Sequence, residues 1–398
     1  MDLTITPRRL HGTVRAIPSK SQAHRLLICA AFSDQQTFLE CPQTNEDIEA
    51  TVRCLCALGA NITRKDGGYH VIPVTKIPTS AQLHCGESGS TLRFILPIAC
   101  ALGVNATFVL QGRLPHRPLS PLWEELERMG CQLSRPTENT IQSIGKLHSG
   151  NFVISGKVSS QFISGLLFAA ALLEGISTIT ITDTLESKPY VNMTQAALEV
   201  FGVKSDNFQI TGSFPFSTPG TVAVEGDWSN AAFFLAAGAL ECDVTVTNLD
   251  YQSPQGDRAV ADILSKKETM AQISAADIPD LVPILAVYFG AKNGAVFNDI
   301  ARLRLKESDR VASVFQMLNQ LGASATATEN TMTIKPGKYH SCIIDAAGDH
   351  RIAMAAAIAA VVANGPVTIH GAECVAKSYP SFWEEYQKLG GIYEQYLR

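Results

Sequence analysis

The chain has 398 residues, of which 46% are hydrophobic and 17% charged, and its formal net charge at pH 7 is −5. This composition excludes intrinsic disorder, and so balanced a charge argues against a general nucleic-acid or membrane-surface binder. The longest unbroken apolar run, at positions 352–363, is too short to span a bilayer. The first residues lack the apolar core of a secretory signal, and the ten cysteines lack paired zinc spacing. We therefore expect a cytoplasmic globular protein with reduced thiols.

A repeat runs through the whole sequence. Six times, a small polar or charged cluster leads into an alanine-rich or otherwise apolar stretch of helical length. The anchor positions of the six stretches are Lys20, Gly89, Ser159, Ser229, Asp280 and Asp349. Their spacing is nearly constant, except that the interval after Ser229 is distinctly shorter than the others. Spacing of this kind indicates a repeated structural unit.

Each unit is predicted to contain a strand, a helix, a strand, a second helix and a hairpin. The first helix is apolar nearly all round, as in residues 163–173, and must therefore be surrounded by protein. The second helix ends in a hydrophobic residue followed by glycine, as at Leu58-Gly59. A strand–turn–strand pattern follows in most units, as in residues 60–72 with Asp66-Gly67 as the turn.

These units predict an α/β fold with two domains of three units each, an inside-out α/β barrel. The predicted domains are residues 14–225 and residues 1–13 together with 226–398. The short spacing after Ser229 predicts that one unit is truncated near residues 265–275. Helix N-termini would carry the polar clusters towards a crevice between the domains, where free N–H groups and the helix dipole attract anions.

Basic residues at the helix starts indicate an anionic ligand. Lys20, Arg25 and Arg351 lie at or just inside the starts of helices that are otherwise apolar. An unpaired buried cation is costly there and the helix dipole repels it, so a multiply charged phosphate or carboxylate would resolve both problems. The loop of residues 86–91 and the cluster of residues 159–161 could bind such an anion or could simply cap their helices.

Two acidic residues, Asp280 and Glu307, lie among these cations. Each could be a salt-bridge partner or a proton-transfer group. No HxH, HExxH or CxxC pattern supports a metal site, and no GxSxG elbow or cysteine–histidine signature indicates a covalent nucleophile. The loop of residues 86–91 lacks the spacing of a nucleotide P-loop.

At these motifs the sequence resembles the 5-enolpyruvylshikimate-3-phosphate synthase (3-phosphoshikimate 1-carboxyvinyltransferase) family of enolpyruvyl transferases. The segments that carry the resemblance extend from residue 18 to about 383 in family order. They are PSKSQAHR, NEDIEAT, GESGSTLR, HRPLSPL, SSQFISGLL, ESKPYVNMT, VEGDWSNAAFFLAAGAL, DIPDLVP, LRLKESDR, GDHRIAMA and AKSYPSFW. The resemblance also implies two domains of three similar units, in agreement with the repeat.

The resemblance implies transfer of the enolpyruvyl group of phosphoenolpyruvate to the 5-hydroxyl of shikimate 3-phosphate, with release of phosphate. It implies no metal, no organic cofactor and no nucleic-acid or membrane partner, and it favours a monomer. Asp280 resembles the proton acceptor and Glu307 the proton donor, with Lys20 a rival for either role. The implied contacts to shikimate 3-phosphate are Lys20, Ser21, Arg25, Ser159, Ser160, Gln161, Ser187, Asp280 and Lys306. Those to phosphoenolpyruvate are Lys20, Gly89, Arg117, Gln161, Arg310, Arg351 and Lys377.

Two other functions stay open at this point. One is a sister enzyme that transfers enolpyruvate to a UDP-sugar; it would carry a lysine–asparagine pair where Lys20-Ser21 stands here. The other is a non-catalytic anion-binding paralogue disabled by the truncation. The chain also departs from the family at Glu87, where asparagine is usual, so a negative charge adjoins the expected phosphoenolpyruvate site.

Overall fold

The computed structural model describes residues 1–212, 214–266 and 270–396. The α-helices are Lys20–Ala31 (α1), Glu46–Ala57 (α2), Gly89–Leu102 (α3), Leu122–Arg128 (α4), Ser160–Leu172 (α5), Lys188–Val200 (α6), Trp228–Ala239 (α7), Ala259–Ser265 (α8), Val282–Ala291 (α9), Arg310–Leu321 (α10), His350–Ala360 (α11) and Phe382–Lys388 (α12). Short 3-10 helices cover Leu114–His116, Gly256–Arg258, Ala301–Leu305 and Ala372–Lys377.

The strands are short and alternate with the helices. They are Asp2–Thr6 (β1), His11–Arg15 (β2), Thr37–Glu40 (β3), Asn61–Lys65 (β4), Gly68–Ile72 (β5), Ser80–Gly86 (β6), Asn105–Leu110 (β7), Cys131–Thr137 (β8), Thr140–Gly145 (β9), Asn151–Ile154 (β10), Ile176–Ile181 (β11), Ser205–Asp206 (β12), Gln209–Thr211 (β13), Thr221–Ala223 (β14), Asp243–Thr247 (β15), Ala271–Ser274 (β16), Ala295–Asn298 (β17), Ser324–Ala327 (β18), Thr331–Lys335 (β19), Cys342–Asp345 (β20), Val367–His370 (β21) and Ile392–Tyr396 (β22).

The chain divides into two compact units. The central unit contains residues 18–225, and the terminal unit contains residues 1–17 and 226–398. Residues 14–17, which we expected in the central unit, belong to the terminal unit. The reason is that β2 pairs in parallel with β15, so that Val14 lies opposite Val246.

Each repeat of the central unit has its own four-stranded sheet. The strand orders are β14-β3-β5-β4, β6-β7-β9-β8 and β10-β11-β13-β12. In every one of these sheets the first pair of strands is parallel and the other pairs are antiparallel. The identical order confirms the predicted repeat and its hairpins.

The terminal unit has two sheets of the same kind and one smaller sheet. The four-stranded sheets are β20-β21-β1-β22 and β16-β17-β19-β18, whereas β15-β2 has two strands among the described residues. The two-stranded sheet belongs to the repeat that begins with α7. The predicted truncation near residues 265–275 includes residues 267–269, which lie outside the described residues, so the truncation stays a prediction.

The first helix of each repeat lies inside its unit, as the apolar sequence predicts. In the central unit α1, α3 and α5 contribute to one hydrophobic core, and in the terminal unit α7, α9 and α11 contribute to another. Side chains from Leu92 to Ala101 of α3 are all buried, so this helix has no face left for solvent. Only the starts of such helices can present polar groups to a ligand.

Polar residues cap most of these buried helices. The side chains of Ser19, Ser88 and Ser159 accept hydrogen bonds from the backbone at the starts of α1, α3 and α5. Asp227 and Asp349 do the same for α7 and α11. Capping therefore explains part of the polar clusters, since the first N–H groups of a helix have no partner within it.

Helices α3 and α5 approach each other closely at Gly165. A Cβ atom at this position would lie 2.2 Å from the Arg93 carbonyl oxygen and 3.1 Å from Cγ of Pro97. Pro97 has no N–H to bond that carbonyl, which belongs to the preceding turn of α3. The two helices pack at this point because glycine has no side chain.

We expect Gly165→Ala to destabilise the protein by about 2 kcal/mol, because a backbone oxygen cannot move aside as a flexible side chain does. Thermal unfolding would measure the loss. Gly238→Ala in α7 is the matched control, because a Cβ there would meet its nearest atom at 3.3 Å. Equal stability of the two variants would contradict this account of the α3–α5 packing.

Candidate active site

In the central unit, Lys20 starts α1 and pairs with an acidic residue of α2. Its Nζ lies 2.9 Å from Oδ2 of Asp47, and both side chains are mostly buried. Asp47 belongs to the NEDIEAT segment and was not among the predicted site residues. The ion pair holds the ammonium group at the start of α1, where the helix dipole alone would repel it.

Arg25 is buried further along α1. Its Nε donates to Oγ1 of Thr194 (2.8 Å), Nη1 to the Ser21 carbonyl (2.6 Å) and Nη2 to the Tyr190 carbonyl (2.8 Å). The guanidinium also lies 5.1 Å from the ring centre of Phe94. Burial lowers the pKa of Arg25 to about 10, so it is charged at neutral pH. The oxygen acceptors of the Arg25 guanidinium are hydroxyl and carbonyl groups without charge, so its positive charge can still attract an anion.

Gln161, in the first turn of α5, is hydrogen-bonded to two residues of α3. Its Oε1 accepts from Nη1 of Arg93 at 2.7 Å, and its Nε2 donates to Oγ of Ser90 at 2.8 Å. Arg93 also donates to the Pro118 carbonyl at 3.3 Å. The arginine therefore orients the amide of Gln161, a role that the sequence analysis did not assign to it.

Arg117 lies across the start of α3. A Cβ atom at Gly89 would be 2.8 Å from Nη1 of Arg117, so a side chain there would push the guanidinium out of this position. The sequence predicted both residues as contacts to the same substrate, and the structure brings them together. Arg117 itself follows the 3-10 helix Leu114–His116.

The predicted serines lie near helix starts. Ser159 and Ser160 are mostly buried at the start of α5. Ser187 precedes α6 and has φ of 55°, a left-handed conformation that is uncommon for a residue other than glycine. Ser21 lies in the first turn of α1, where its carbonyl accepts the bond from Arg25. A left-handed backbone at a residue other than glycine is strained and persists only where the surrounding structure enforces it. Such residues, of which Ser187 is one, are frequent at ligand-binding sites.

In the terminal unit, Asp280 forms ion pairs with three cations. Its Oδ1 lies 2.9 Å from Nη1 of Arg310 and 3.6 Å from Nζ of Lys306, and its Oδ2 lies 2.9 Å from Nη2 of Arg351. Burial opposes ionisation of this carboxyl, but Arg351, Lys306 and Arg310 together outweigh it and hold its pKa well below the usual range. Asp280 is therefore a carboxylate at neutral pH and a weak base while the three cations remain beside it.

Arg310 joins three carboxylates. Its Nε lies 2.9 Å from Oδ2 of Asp349, and its Nη2 lies 2.7 Å from Oε2 of Glu307, in addition to the contact with Asp280. Burial lowers the pKa of Arg310, but Asp349, Glu307 and Asp280 outweigh it and raise the pKa above its ordinary value. The side chain is completely buried, so its donors are occupied by the protein in this structure.

Two of the predicted cations in the terminal unit are lysines: Lys306 belongs to this cluster, and Lys377 lies elsewhere in the same unit. Lys306 is only partly exposed, and burial lowers its pKa to about 8 against the opposing effect of Asp280. Lys377 ends the 3-10 helix Ala372–Lys377, and its Nζ donates to the Gly348 carbonyl at 3.3 Å. Gly348 directly precedes the cap of α11, so Lys377 lies near the start of the helix that carries Arg351.

Asp257 is a buried acid that the sequence analysis missed. It lies in the 3-10 helix Gly256–Arg258, and its Oδ2 accepts a hydrogen bond from the Ser229 hydroxyl. Burial and the negative charge of Asp280 raise the pKa of Asp257 to about 7, although Arg351 and the Ser229 bond act in the opposite direction. Its proximity to Asp280 depends on tertiary packing, because α8 and β16 lie between the two in the chain.

Two absences hold for the described residues, which are 1–212, 214–266 and 270–396. Within these ranges, no group of three or more His, Cys, Asp or Glu side chains is placed to hold a metal ion. Within the same ranges, no helix is long and apolar enough to cross a membrane.

We expect Asp257→Asn to remove a pH dependence from the protein's stability. Between about pH 4 and 7 the folded chain keeps a proton on Asp257 that the unfolded chain has released, so stability from this group falls as the pH rises. The variant should therefore gain stability over the parent at about pH 8 relative to about pH 5. The midpoint of urea unfolding at both pH values would measure this gain. Asp262→Asn, at an exposed position of α8, is the control. If Asp257→Asn changed the urea midpoint equally at both pH values, the prediction would be contradicted.

Comparison with known proteins agrees with the motifs and the fold. The family model described as EPSP synthase (3-phosphoshikimate 1-carboxyvinyltransferase) matches residues 5–386. A protein of Clostridium acetobutylicum named 3-phosphoshikimate 1-carboxyvinyltransferase is 39% identical, and the match covers 97% of each chain. A Clostridium kluyveri protein of the same name is 38% identical over 99% of this chain and 98% of its own.

Solved structures agree as well. EPSP synthase from Acinetobacter baumannii has a TM-score of 0.79 at 25% identity, over 99% of this chain and all of the other. The enolpyruvyl transferase NikO from Streptomyces tendae has a TM-score of 0.75 at 17% identity, over 99% of this chain and 98% of its own, and so shares the fold. Because the family model and the relatives match over nearly the whole length, this chain belongs to the EPSP synthase family.

Proposed function

We propose that this protein transfers the enolpyruvyl group of phosphoenolpyruvate to the 5-hydroxyl of shikimate 3-phosphate and releases phosphate. The family membership supports the reaction. The observation that carries the proposal is Asp280, an ionised carboxylate held among Arg310, Arg351 and Lys306. Such a cluster combines a proton acceptor with cations that can bind anionic substrates.

Shikimate 3-phosphate is proposed to bind chiefly to the central unit. The buried charge of Arg25, surrounded by neutral acceptors, would attract its phosphate or carboxylate. The start of α5 would contribute hydroxyl and backbone N–H groups, which suit a phosphate. The full proposed set is Lys20, Ser21, Arg25, Ser159, Ser160, Gln161 and Ser187 from the central unit, with Asp280 and Lys306 from the terminal unit.

Phosphoenolpyruvate is proposed to bind through cations of both units. Arginine presents several N–H donors in a plane, which suits bidentate recognition of carboxylate and phosphate. For Arg310 to contact the substrate, an anionic group of the substrate must replace one of its carboxylate partners. The full proposed set is Lys20, Gly89, Arg117, Gln161, Arg310, Arg351 and Lys377.

The proposed cations can offset much of the charge of the substrates, although some of them already pair with carboxylates of the protein, namely Asp47, Asp280, Glu307 and Asp349. Two substrates, each with a phosphate and a carboxylate, bring about six negative charges together near neutral pH, because the second phosphate pKa is about 6. The seven proposed cations offset this repulsion; they are Lys20, Arg25, Arg117, Lys306, Arg310, Arg351 and Lys377. A site of this charge can bring together two anions that repel each other in water.

Asp280 is proposed to accept the proton of the attacking hydroxyl. The three cations that lower its pKa in the absence of substrate would also be the ligands of the substrate anions. Each anion that binds to them reduces their effect on Asp280 and makes it a stronger base. The acceptor would therefore become active when the substrates are bound, which limits unproductive proton transfer.

The proton that activates phosphoenolpyruvate is proposed to come from Glu307, with Lys20 as the rival donor. Glu307 is paired with Arg310 as a carboxylate in this structure, so it must first take up a proton. Protonation of the methylene carbon makes the adjacent carbon electrophilic, and the 5-hydroxyl adds to it while Asp280 takes the hydroxyl proton. The product of this addition is a tetrahedral intermediate. Both proton transfers then reverse: a methyl proton returns to the group that donated it, and the proton on Asp280 passes to the leaving phosphate. Cleavage of the bond between carbon and the phosphate oxygen gives the enol ether and free phosphate.

We also propose that the protein acts as a cytoplasmic monomer. Every proposed ligand group comes from one chain, with some from the central unit and the others from the terminal unit. No second copy of the chain is therefore needed to supply any of these groups. Sedimentation at assay concentration would test the monomer directly.

Phosphate release from the purified chain tests the function. Release should require both phosphoenolpyruvate and shikimate 3-phosphate, with neither substrate alone sufficient. A UDP-sugar in place of shikimate 3-phosphate is the control, and it should give no release. Binding of shikimate 3-phosphate without any release would instead identify a non-catalytic anion-binding protein.

We expect Asp280→Asn to lower kcat by about 10³-fold, because the amide cannot accept a proton. Shikimate 3-phosphate should still bind, since most of its proposed contacts lie in the central unit. Phosphate release and calorimetric binding would measure the two effects. The nearby exposed Asp277→Asn is the control and should retain activity. Full activity of Asp280→Asn would remove this carboxylate from the mechanism.

We expect Lys20→Met to impair binding of both substrates and to lower kcat by about 10²-fold, because this ammonium is proposed to contact both. Steady-state kinetics with each substrate varied in turn would measure the changes. The exposed Lys204→Met, in the same unit, controls for loss of one positive charge. An effect on one substrate alone would contradict the shared role of Lys20.

A further inference from the structure

Two loops of the central unit meet at the ends of the parallel strands β6 and β7. The first, residues 86–91, begins at the last residue of β6 and runs into the first turn of α3. The second, residues 111–117, follows β7 and ends with Arg117. The backbone N–H of Gln111 donates to the Gly86 carbonyl at 2.8 Å. Beside this bond, Oε1 of Glu87 accepts a hydrogen bond from the backbone N–H of Arg113 at 3.2 Å. The second loop is thus bound to the first by a backbone contact and by the Glu87 side chain.

The Glu87 carboxylate packs directly against the second loop at Gly112. A Cβ atom at Gly112 would lie 2.5 Å from Cδ of Glu87 and 2.8 Å from each carboxylate oxygen. Gly112 also has φ of +56°, where glycine is favoured. The carboxylate therefore occupies the space that any side chain at residue 112 would need.

Hydrogen bonds within the second loop connect the Glu87 contact at Arg113 to Arg117. The N–H of Leu114 donates to the Gln111 carbonyl, that of His116 to the Arg113 carbonyl and that of Arg117 to the Leu114 carbonyl, at 3.1 to 3.2 Å. These successive bonds form a compact turn that begins where Glu87 holds Arg113. At its far end, the guanidinium of Arg117 lies against Gly89.

We infer that Glu87 is a positioning residue for phosphoenolpyruvate binding: its carboxylate holds the turn of residues 111–117 on the loop of residues 86–91 and so places the Arg117 guanidinium. This inference rests on the role proposed for Arg117. A negative charge close to an anionic substrate is otherwise unfavourable, and the hydrogen bond accounts for its presence.

Four variants of the full chain test this role: Glu87→Ala, Glu87→Gln, Arg117→Ala and the double variant Glu87→Ala/Arg117→Ala. Glu87→Ala should raise KM for phosphoenolpyruvate about five- to ten-fold and leave KM for shikimate 3-phosphate unchanged. Glu87→Gln retains an oxygen acceptor for the Arg113 N–H and should therefore raise KM for phosphoenolpyruvate less than Glu87→Ala does. In the Arg117→Ala background, Glu87→Ala should add less than about two-fold, because both act through one guanidinium.

One control and one further variant separate positioning from damage to the fold. Glu174→Ala removes a carboxylate from an exposed position of the same unit and should change neither KM. Gly112→Ala disturbs the same contact from the opposite side and should also raise KM for phosphoenolpyruvate selectively. Unchanged binding of shikimate 3-phosphate in each variant would show that the central unit is folded.

The outcomes distinguish failure of this inference from failure of the proposed site. A large effect of Arg117→Ala with none of Glu87→Ala would overturn the positioning role and leave the site intact. No effect of Arg117→Ala would overturn the role proposed for Arg117 itself. A lower KM in both Glu87 variants would mean that the residue acts by charge repulsion, and independent effects in the double variant would mean that it does not act through Arg117. Either result contradicts the inference.

Discussion

The near-complete burial of the first helix of each repeat, in which no residue is fully exposed, is the constraint on which the site depends. A helix surrounded by protein, such as α3 or α5, can offer a ligand only its end. The N-terminal end carries unpaired N–H groups and the positive end of the dipole, so it suits anions. Burial that serves stability thereby leaves the polar starts of the helices as the parts that we propose bind anions. Close packing at Gly165 belongs to the same constraint, because a side chain there would hold α5 away from the backbone of α3.

The two units stabilise their buried cations in different ways. In the central unit, Arg25 donates to a hydroxyl and two carbonyl oxygens, so its charge is available to a ligand. In the terminal unit, Arg310 and Arg351 are paired with carboxylates. The first arrangement suits anchoring an anion. The second suits proton transfer, because substrate anions that compete for the arginines change the basicity of the paired carboxylate.

Much of the fold could be predicted from residue spacing alone. The regular anchors predicted the repeat, and the common strand order in the four-stranded sheets confirms it. The assignment of residues 14–17 was wrong because β2 pairs with β15, which the whole central unit separates from it in the sequence. Hydrophobic alternation can identify a short strand, but it does not specify which distant strand completes the hydrogen bonds.

The sequence by itself determined which helices are buried, where they begin and which cations lie at their starts. These properties depend on local apolar pattern and on capping residues such as Ser88 and Ser159. Only the tertiary structure decided the partners: Asp47 for Lys20, three carboxylates for Arg310, and Asp257 beside Asp280. Charge pairing depends on distances of a few ångströms between side chains of different helices. Spacing along the chain does not determine those distances, because packing of the helices sets them.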